Sequence, residues 1–315
     1  MRKTVFGGQA LIEGLMIKGP TSAAIAIRKP DNEIIVEKKI FKSSPLVKKT
    51  VKIPILRGMV EFFRLNVQGV KALMYSAEFI SIEDENGNKE EKPSKVDEFL
   101  EKVFGDKIQN VVMYISAIIS ILFSVGLFML LPNFIANFLQ FNKDTTSGVV
   151  LYNLFEGVIR VSIFFGYLAL TSRLEDMKRV WMYHGAEHKM IHCYEHEDEL
   201  NVENIKKYSI RHPRCGTSFL FIVMIISIIL FSFLGWHNLI VNIVLRLLMF
   251  PLVAGLSYEV FRFAGRSDNK YIGMLNLPGL AVQYFTTKEP DDGQIEVAIA
   301  AFNGVLSEDK DADIW

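Results

Sequence analysis

Five of the six histidines and both cysteines of this chain fall between Tyr183 and Cys215. The stretch opens Tyr183-His184-Gly185-Ala186-Glu187-His188-Lys189. It passes His192, Cys193, Glu195 and His196, and closes His212-Pro213-Arg214-Cys215-Gly216. Imidazoles, thiols and carboxylates at this density are a metal-ligand inventory. Mixed His and Cys donors favour zinc or iron over magnesium or calcium.

Spacing decides which of these groups can share an ion. Read as a helix from Leu174 to Glu195, the chain puts His184, His188 and His192 within roughly 80° of one another. Glu187 falls beside that stripe, and Cys193 lies about 180° from His184. His184 and His192 are about 12 Å apart along the axis, so one ion takes an i,i+4 pair. His184 and His188 with Glu187 between them spell His-x-x-Glu-His. In that pattern two imidazoles bind zinc and the carboxylate handles a proton. A third ligand has to come from elsewhere, and His212 and Cys215 are the candidates. His192 and Cys193 then belong to an adjacent or supporting site. The plainer reading of the same stripe is a solvated helix face. Three successive i,i+4 steps, from His184 to His196, weigh against it.

The elements around this stretch place it beside a membrane. Half of the residues are hydrophobic and the formal net charge is zero, which gives no argument for nucleic acid as a partner. Two cysteines among histidines suit a reduced setting better than a disulfide framework. Four apolar runs are long enough for a hydrocarbon core of about 30 Å: 108–139, 152–171, 217–234 and 239–263. Pro132 is expected to kink or end the first. Lys and Arg crowd the 172–216 loop, while the 140–151 loop holds Lys143 alone and the 235–238 connection none. That bias puts the histidine loop and both termini in the cytosol. Glu156, Arg160 and Arg246 are charges within the apolar runs. They are functional candidates by default, with a Glu156–Arg160 structural pair as the plain alternative.

The remaining segments read as a small soluble portion. Residues 7–20 hold four glycines and end in Pro20, so tight turns around a short strand are expected. Gln9 and Glu13 are the polar groups held there, and whether either faces the histidines is open. Ala24–Arg28 and Ile34–Phe41 alternate as a hairpin around Pro30-Asp31-Asn32. No signal peptide is expected before this segment. Pro54–Ile80 reads as one amphipathic helix with a polar stripe at Arg57, Glu61, Arg64, Gln68, Lys71, Tyr75 and Glu78. It is expected at the membrane interface or against the bundle. Asn276–Phe285 reads as a short helix. Asp291 and Gln294 have capping-box spacing before a second one.

The expected fold class is an α-helical integral membrane protein: four transmembrane helices plus a small cytosolic α+β portion built from both termini. Its segments are a Gly-rich stretch and hairpin (1–53), an interfacial helix (54–82) and a charged linker (83–107). Two transmembrane helices (108–171), the His/Cys loop (172–216), two more (217–263) and a cytosolic tail (264–315) complete it.

The stretches GGQALIEGLMIKGP (7–20), PILRGMVEF (54–62), HGAEHKMIHCYE (184–195), HPRCGTSFL (212–220) and TTKEPDDGQIEVAIAA (286–301) resemble the YqhQ-type family. These are bacterial membrane proteins often described as predicted metal-dependent enzymes. The resemblance implies a multi-pass protein of the cell (inner or plasma) membrane. It carries over Gln9, Glu13, His184, Glu187, His188, His192, Cys193, His212 and Cys215 as motif positions. It supplies no substrate.

Two function classes follow. One is a membrane-bound metal-dependent hydrolase, with zinc as cofactor and Glu187 as its general base. The other is a non-enzymatic membrane scaffold or assembly factor in which the ion only locks the loop. The expected partners are the lipid bilayer and, for the scaffold, another membrane protein.

Overall fold

The computed structural model describes residues 3–40, 52–84, 108–139, 141–142, 144–235, 237–267 and 269–306. The charged linker expected at 83–107 lies outside them beyond Asp84. The chain divides into two compact units, one of residues 81–166 and one of 1–80 with 167–315.

The larger unit begins with four antiparallel strands: β1 (Gly7–Leu11), β2 (Gly14–Lys18), β3 (Ser22–Arg28) and β4 (Ile34–Ile40). They pair in chain order as a meander, with Gln9 opposite Met16, Ile17 opposite Ala24 and Ile27 opposite Ile35. The Gly-rich segment is therefore a hairpin of its own, not turns around one strand. Its reversal is made by Ile12 and Glu13, with Glu13 in the left-handed region at φ 50°. Neither is a usual residue for that conformation, so the turn leaves no signal in the sequence.

Helices follow in the order α1 (Leu56–Asp84), α2 (Ile108–Val125), α3 (Leu131–Asn137) and α4 (Thr146–Thr171). Next come α5 (Glu175–Glu195), α6 (Val202–Lys206), α7 (Gly216–Phe233), α8 (Leu239–Arg266), α9 (Lys270–Gly273), α10 (Leu277–Thr286) and α11 (Asp292–Val305). Four stretches among them are long and apolar enough to cross a membrane: 118–137, 146–171, 216–233 and 240–266.

Both faces of the sheet are covered, which is why Leu15–Ile17 of β2 and Ala23–Ile27 of β3 are unbroken apolar runs. Leu15, Ile17, Ala24 and Ala26 share a core with Tyr183, Ala186 and Met190 of α5 and with Ile295, Ala298 and Phe302 of α11. Leu11, Met16, Ile25 and Ile27 pack on the other side with Ala72, Tyr75 and Phe79 of α1. The first turn of α11 is fixed by a reciprocal capping box between Asp291 and Gln294. A two-stranded hairpin alone is marginal in water. Here the tail helix supplies much of its missing core.

The other half of α1 lies on α8. Gly58 and Gly255 meet so closely that a Cβ on Gly58 would stand 2.7 Å from the Gly255 carbonyl oxygen. Arg57 pairs with Glu259 beside that crossing, and Glu61 pairs with Lys18. Part of the polar stripe is thus used inward, while Phe63, Val67 and Val70 are exposed.

In the smaller unit a π-helical turn at Gly126–Leu130 separates α2 from α3, and Pro132 opens α3. Proline has no N–H and crowds the carbonyl four residues earlier. That carbonyl is Phe128, which accepts a hydrogen bond from Arg160 Nε at 3.0 Å. Glu156 in turn accepts one from the same guanidinium at 2.6 Å. Pro132 therefore does not end the apolar run. A wider turn absorbs it, and Arg160 satisfies the freed oxygen.

Candidate metal centre

Helix α5 runs between the sheet and two extended pieces of chain, so Tyr183 to Ile191 are buried without a break. On one side Gly8 of β1 admits it: a Cβ there would stand 2.7 Å from Glu187 Cδ. On the other side the 286–291 strap crosses at Gly185, where a Cβ would stand 2.0 Å from the Lys288 carbonyl oxygen. The Lys288 amide donates to the Trp181 carbonyl at 2.9 Å and fixes the crossing.

His184 and His188 lie one turn apart with ring centres 4.3 Å from each other. Each imidazole has its Nδ1 against a backbone carbonyl: Thr286 O at 2.7 Å for His184, Ile210 O at 2.6 Å for His188. A carbonyl accepts only, so each Nδ1 carries a proton, and the neutral tautomer of each ring has its lone pair on Nε2. His184 Nε2 points at Cys215 Sγ, 3.1 Å away. Nε2 of His188 is buried, with no hydrogen-bond partner that satisfies normal geometry. One ligand atom from each of His184, His188 and Cys215 falls within 4.8 Å of the others. Cys215 is also the N-cap of α7, where Thr217 donates to Sγ from N and from Oγ1 at 3.5 and 3.3 Å.

Burial pushes the Cys215 thiol up, but His188 and the Thr217 donors outweigh it and leave the thiol below its ordinary range. Burial lowers His188 to about 4, so its imidazole stays neutral. Burial raises Glu187 to about 7 against the opposing pull of His184. Glu187 Oε2 is buried without a partner. Two imidazoles, a buried thiol and a carboxyl with one oxygen short of partners form one pocket of donors.

A second group joins His192, Glu195 and His212. Its carboxylate is already occupied. Glu195 pairs with Arg214, and Oε1 accepts from Thr4 N at 2.9 Å and Thr4 Oγ1 at 3.0 Å. His212 Nδ1 accepts from the Arg214 amide at 3.3 Å, which puts its proton on Nε2, 3.5 Å from Glu195 Oε2. Gln283 holds the His212 backbone from both sides, at 2.8 Å each. This group fastens the 209–215 loop to α5 and α10.

The structure thus sets Cys215, rather than His212, beside the i,i+4 pair. Gln9 lies away from both groups, its Nε2 at 3.4 Å from the Gly69 carbonyl of α1. Glu13 pairs with Arg179 and accepts from Tyr183 Oη at 3.3 Å, near the start of α5. Cys193 is on the far side of α5 with its thiol raised to about 11 by burial. Gly8, Gly185, Thr286 and Ile210 are the positioning residues that the sequence did not single out. Two are glycines in quoted motifs; the other two act through backbone atoms that any side chain provides.

Residues 53–308 match the family model described as "Protein of unknown function (DUF1385)". The chain belongs to this family. The uncharacterized protein YqhQ of Bacillus subtilis (strain 168) is 34% identical over 311 residues, covering 96% of this chain and 92% of that one. No solved structure matches the chain. The DUF1385 match contains every residue of both groups and starts after the sheet, so Gly8 lies outside it.

Proposed function

We propose that this DUF1385 chain is a multi-pass membrane protein that binds one divalent ion, zinc, through His184 Nε2, His188 Nε2 and Cys215 Sγ. We propose that it works as a membrane-bound metal-dependent hydrolase. The observation that carries the reading is the convergence of three donors with both Nδ1 atoms committed to backbone carbonyls. Two imidazoles and a thiolate are a zinc set, and three protein ligands leave the fourth position open, as catalytic sites require. A bound ion of this kind brings the pKa of a coordinated water down to about 7 and polarises a carbonyl or phosphoryl oxygen. Glu187 sits between the two imidazoles in sequence and beside Gly8 in space. It takes and returns the proton. The Lys and Arg bias supports a cytosolic side for the 172–216 loop and both termini. Cysteine labelling from outside should therefore reach position 237 and spare position 206.

One observation favours the scaffold reading. The donors and the carbonyls behind them come from three separate stretches: α5, the 209–215 loop that ends in the cap of α7, and the end of α10. An ion there would clasp them together. Glu187→Gln separates the two readings in purified protein assayed on model esters, phosphoesters and peptides. For a hydrolase it keeps the metal and loses turnover. For a clasp it changes little, while His188→Ala lowers the melting temperature through lost binding energy. Metal loss in Glu187→Gln would make Glu187 a ligand and contradict the proton role.

A further inference from the structure

The segment after α8 has one face that packs on the His/Cys group and another that is largely exposed among the described residues. Helical residues run from Lys270 to Thr286 through α9, a short 3-10 turn and α10. On the inner face Gly279 packs so tightly on Ser218 that a Cβ would stand 1.9 Å from its Oγ. Gln283 holds His212, and Thr286 holds His184. On the opposite face, Tyr271 is 80% exposed, Met274 57%, Leu277 54% and Tyr284 65%. With Ala281 these positions repeat every three or four residues, a single apolar stripe about 180° from the inner face.

The place of this stripe in the fold says what covers it. The helical segment that carries it begins four residues after the 240–266 stretch ends and packs through its Gly279 face against the first turn of the 216–233 stretch, both of membrane-crossing length. The ends of those two antiparallel neighbours mark one boundary of the apolar zone. At that boundary the guanidinium of Arg211 lies over the Tyr284 ring at 5.8 Å, an aromatic and a cation side by side. Tyrosines at a headgroup boundary with nearby Arg, and an apolar stripe opposite a polar one, are the marks of an interfacial helix.

We infer that residues 270–286 lie in the membrane–water interface, with Met274, Leu277 and Tyr284 in the bilayer and the metal centre held on the other face. The inference rests on the membrane reading above and is independent of the metal. It makes the bilayer surface a support of the His184 and His212 hydrogen bonds.

The test uses the full chain in phosphatidylcholine–phosphatidylglycerol vesicles, with a nitroxide on Leu277→Cys, Tyr284→Cys, Ile229→Cys or Glu203→Cys in turn. Collision rates with oxygen and with chromium oxalate give each label's depth. Positions 277 and 284 should show an oxygen-to-chromium ratio several-fold above that of 203 and close to that of 229. A ratio at both positions equal to that of 203 would overturn the inference. So would spin–spin broadening at 277 that vanishes on dilution with unlabelled chain, which would make the stripe a contact between two copies. A water-exposed label at 229 would instead overturn the membrane reading beneath it.

Discussion

Cys215 Sγ lies 3.1 Å from His184 Nε2, although 31 residues separate the two in the chain. Helix α5 supplies the imidazole and the cap of α7 supplies the thiol. The distance between them is therefore set by the chain segments that lock those helices together. Most of these segments can be changed without touching a donor atom.

The strap at 286–291 is the first. A Cβ at position 185 would stand 2.0 Å from the Lys288 carbonyl oxygen, which is backbone and has little room to give. Gly185→Ala should therefore push the strap off α5, at about 1–3 kcal/mol or more for overpacking. Loss of the Thr286 carbonyl behind His184 should follow. The expected readout is a lower melting temperature and new protease cuts between residues 286 and 291. An unchanged digestion pattern would show that the strap is not held at Gly185.

Helix α11 is the second. Phe302 is fully buried between the sheet and Phe6, whose ring centre is 4.7 Å away. Phe302→Ala should cost about 3–5 kcal/mol. Truncation at Lys288 removes the whole helix and should make residues 3–40 protease-sensitive. Full protection of the sheet after truncation would mean that α1 and α5 suffice to cover it.

Some of this organisation was legible in the sequence, and the reasons for the rest are physical. The i,i+4 histidines, the capping box of Asp291 and Gln294 and the four apolar runs follow from helical period and residue type. Strand β1 was hidden because Ile12 and Glu13 turn the chain without a glycine. The inward use of Arg57 and Glu61 was hidden because an ion pair to Glu259 or Lys18 has no local signature. The choice between Cys215 and His212 was open because it depends on how the 209–215 loop enters α7, where Cys215 is the cap. The carbonyls of Ile210 and Thr286 belong to the backbone and carry no residue code at all.

Acid should act through Glu195. Burial pushes this carboxyl up. The hydrogen bond from His212, the Arg214 charge and the Thr4 amide outweigh it and hold it below its usual 4.5. A carboxylate whose folded value is depressed stabilises the fold above its unfolded value, and that contribution is lost as pH falls through the folded one. Melting temperature should therefore drop steeply below about pH 4.5 in the parent chain. Glu195→Gln should be less stable at neutral pH by about 3–5 kcal/mol, since Arg214 is left buried and unpaired. Its acid slope should be shallower. Parallel slopes for the two proteins would remove Glu195 as the sensitive group.

A single ion on His184, His188 and Cys215 should be visible in the metal content and X-ray absorption of the purified full-length chain. Protein made in zinc-supplemented medium should carry one zinc per chain, with two imidazole nitrogens at about 2.0–2.1 Å and one sulfur at about 2.3 Å. Cys215→Ser should erase the sulfur shell, and His184→Ala/His188→Ala should lose the metal. Arg214→Ala and Glu195→Gln, which disturb only the neighbouring group, should keep it. A chain that takes up no metal, or a double variant that retains all of it, would contradict an ion on these three residues.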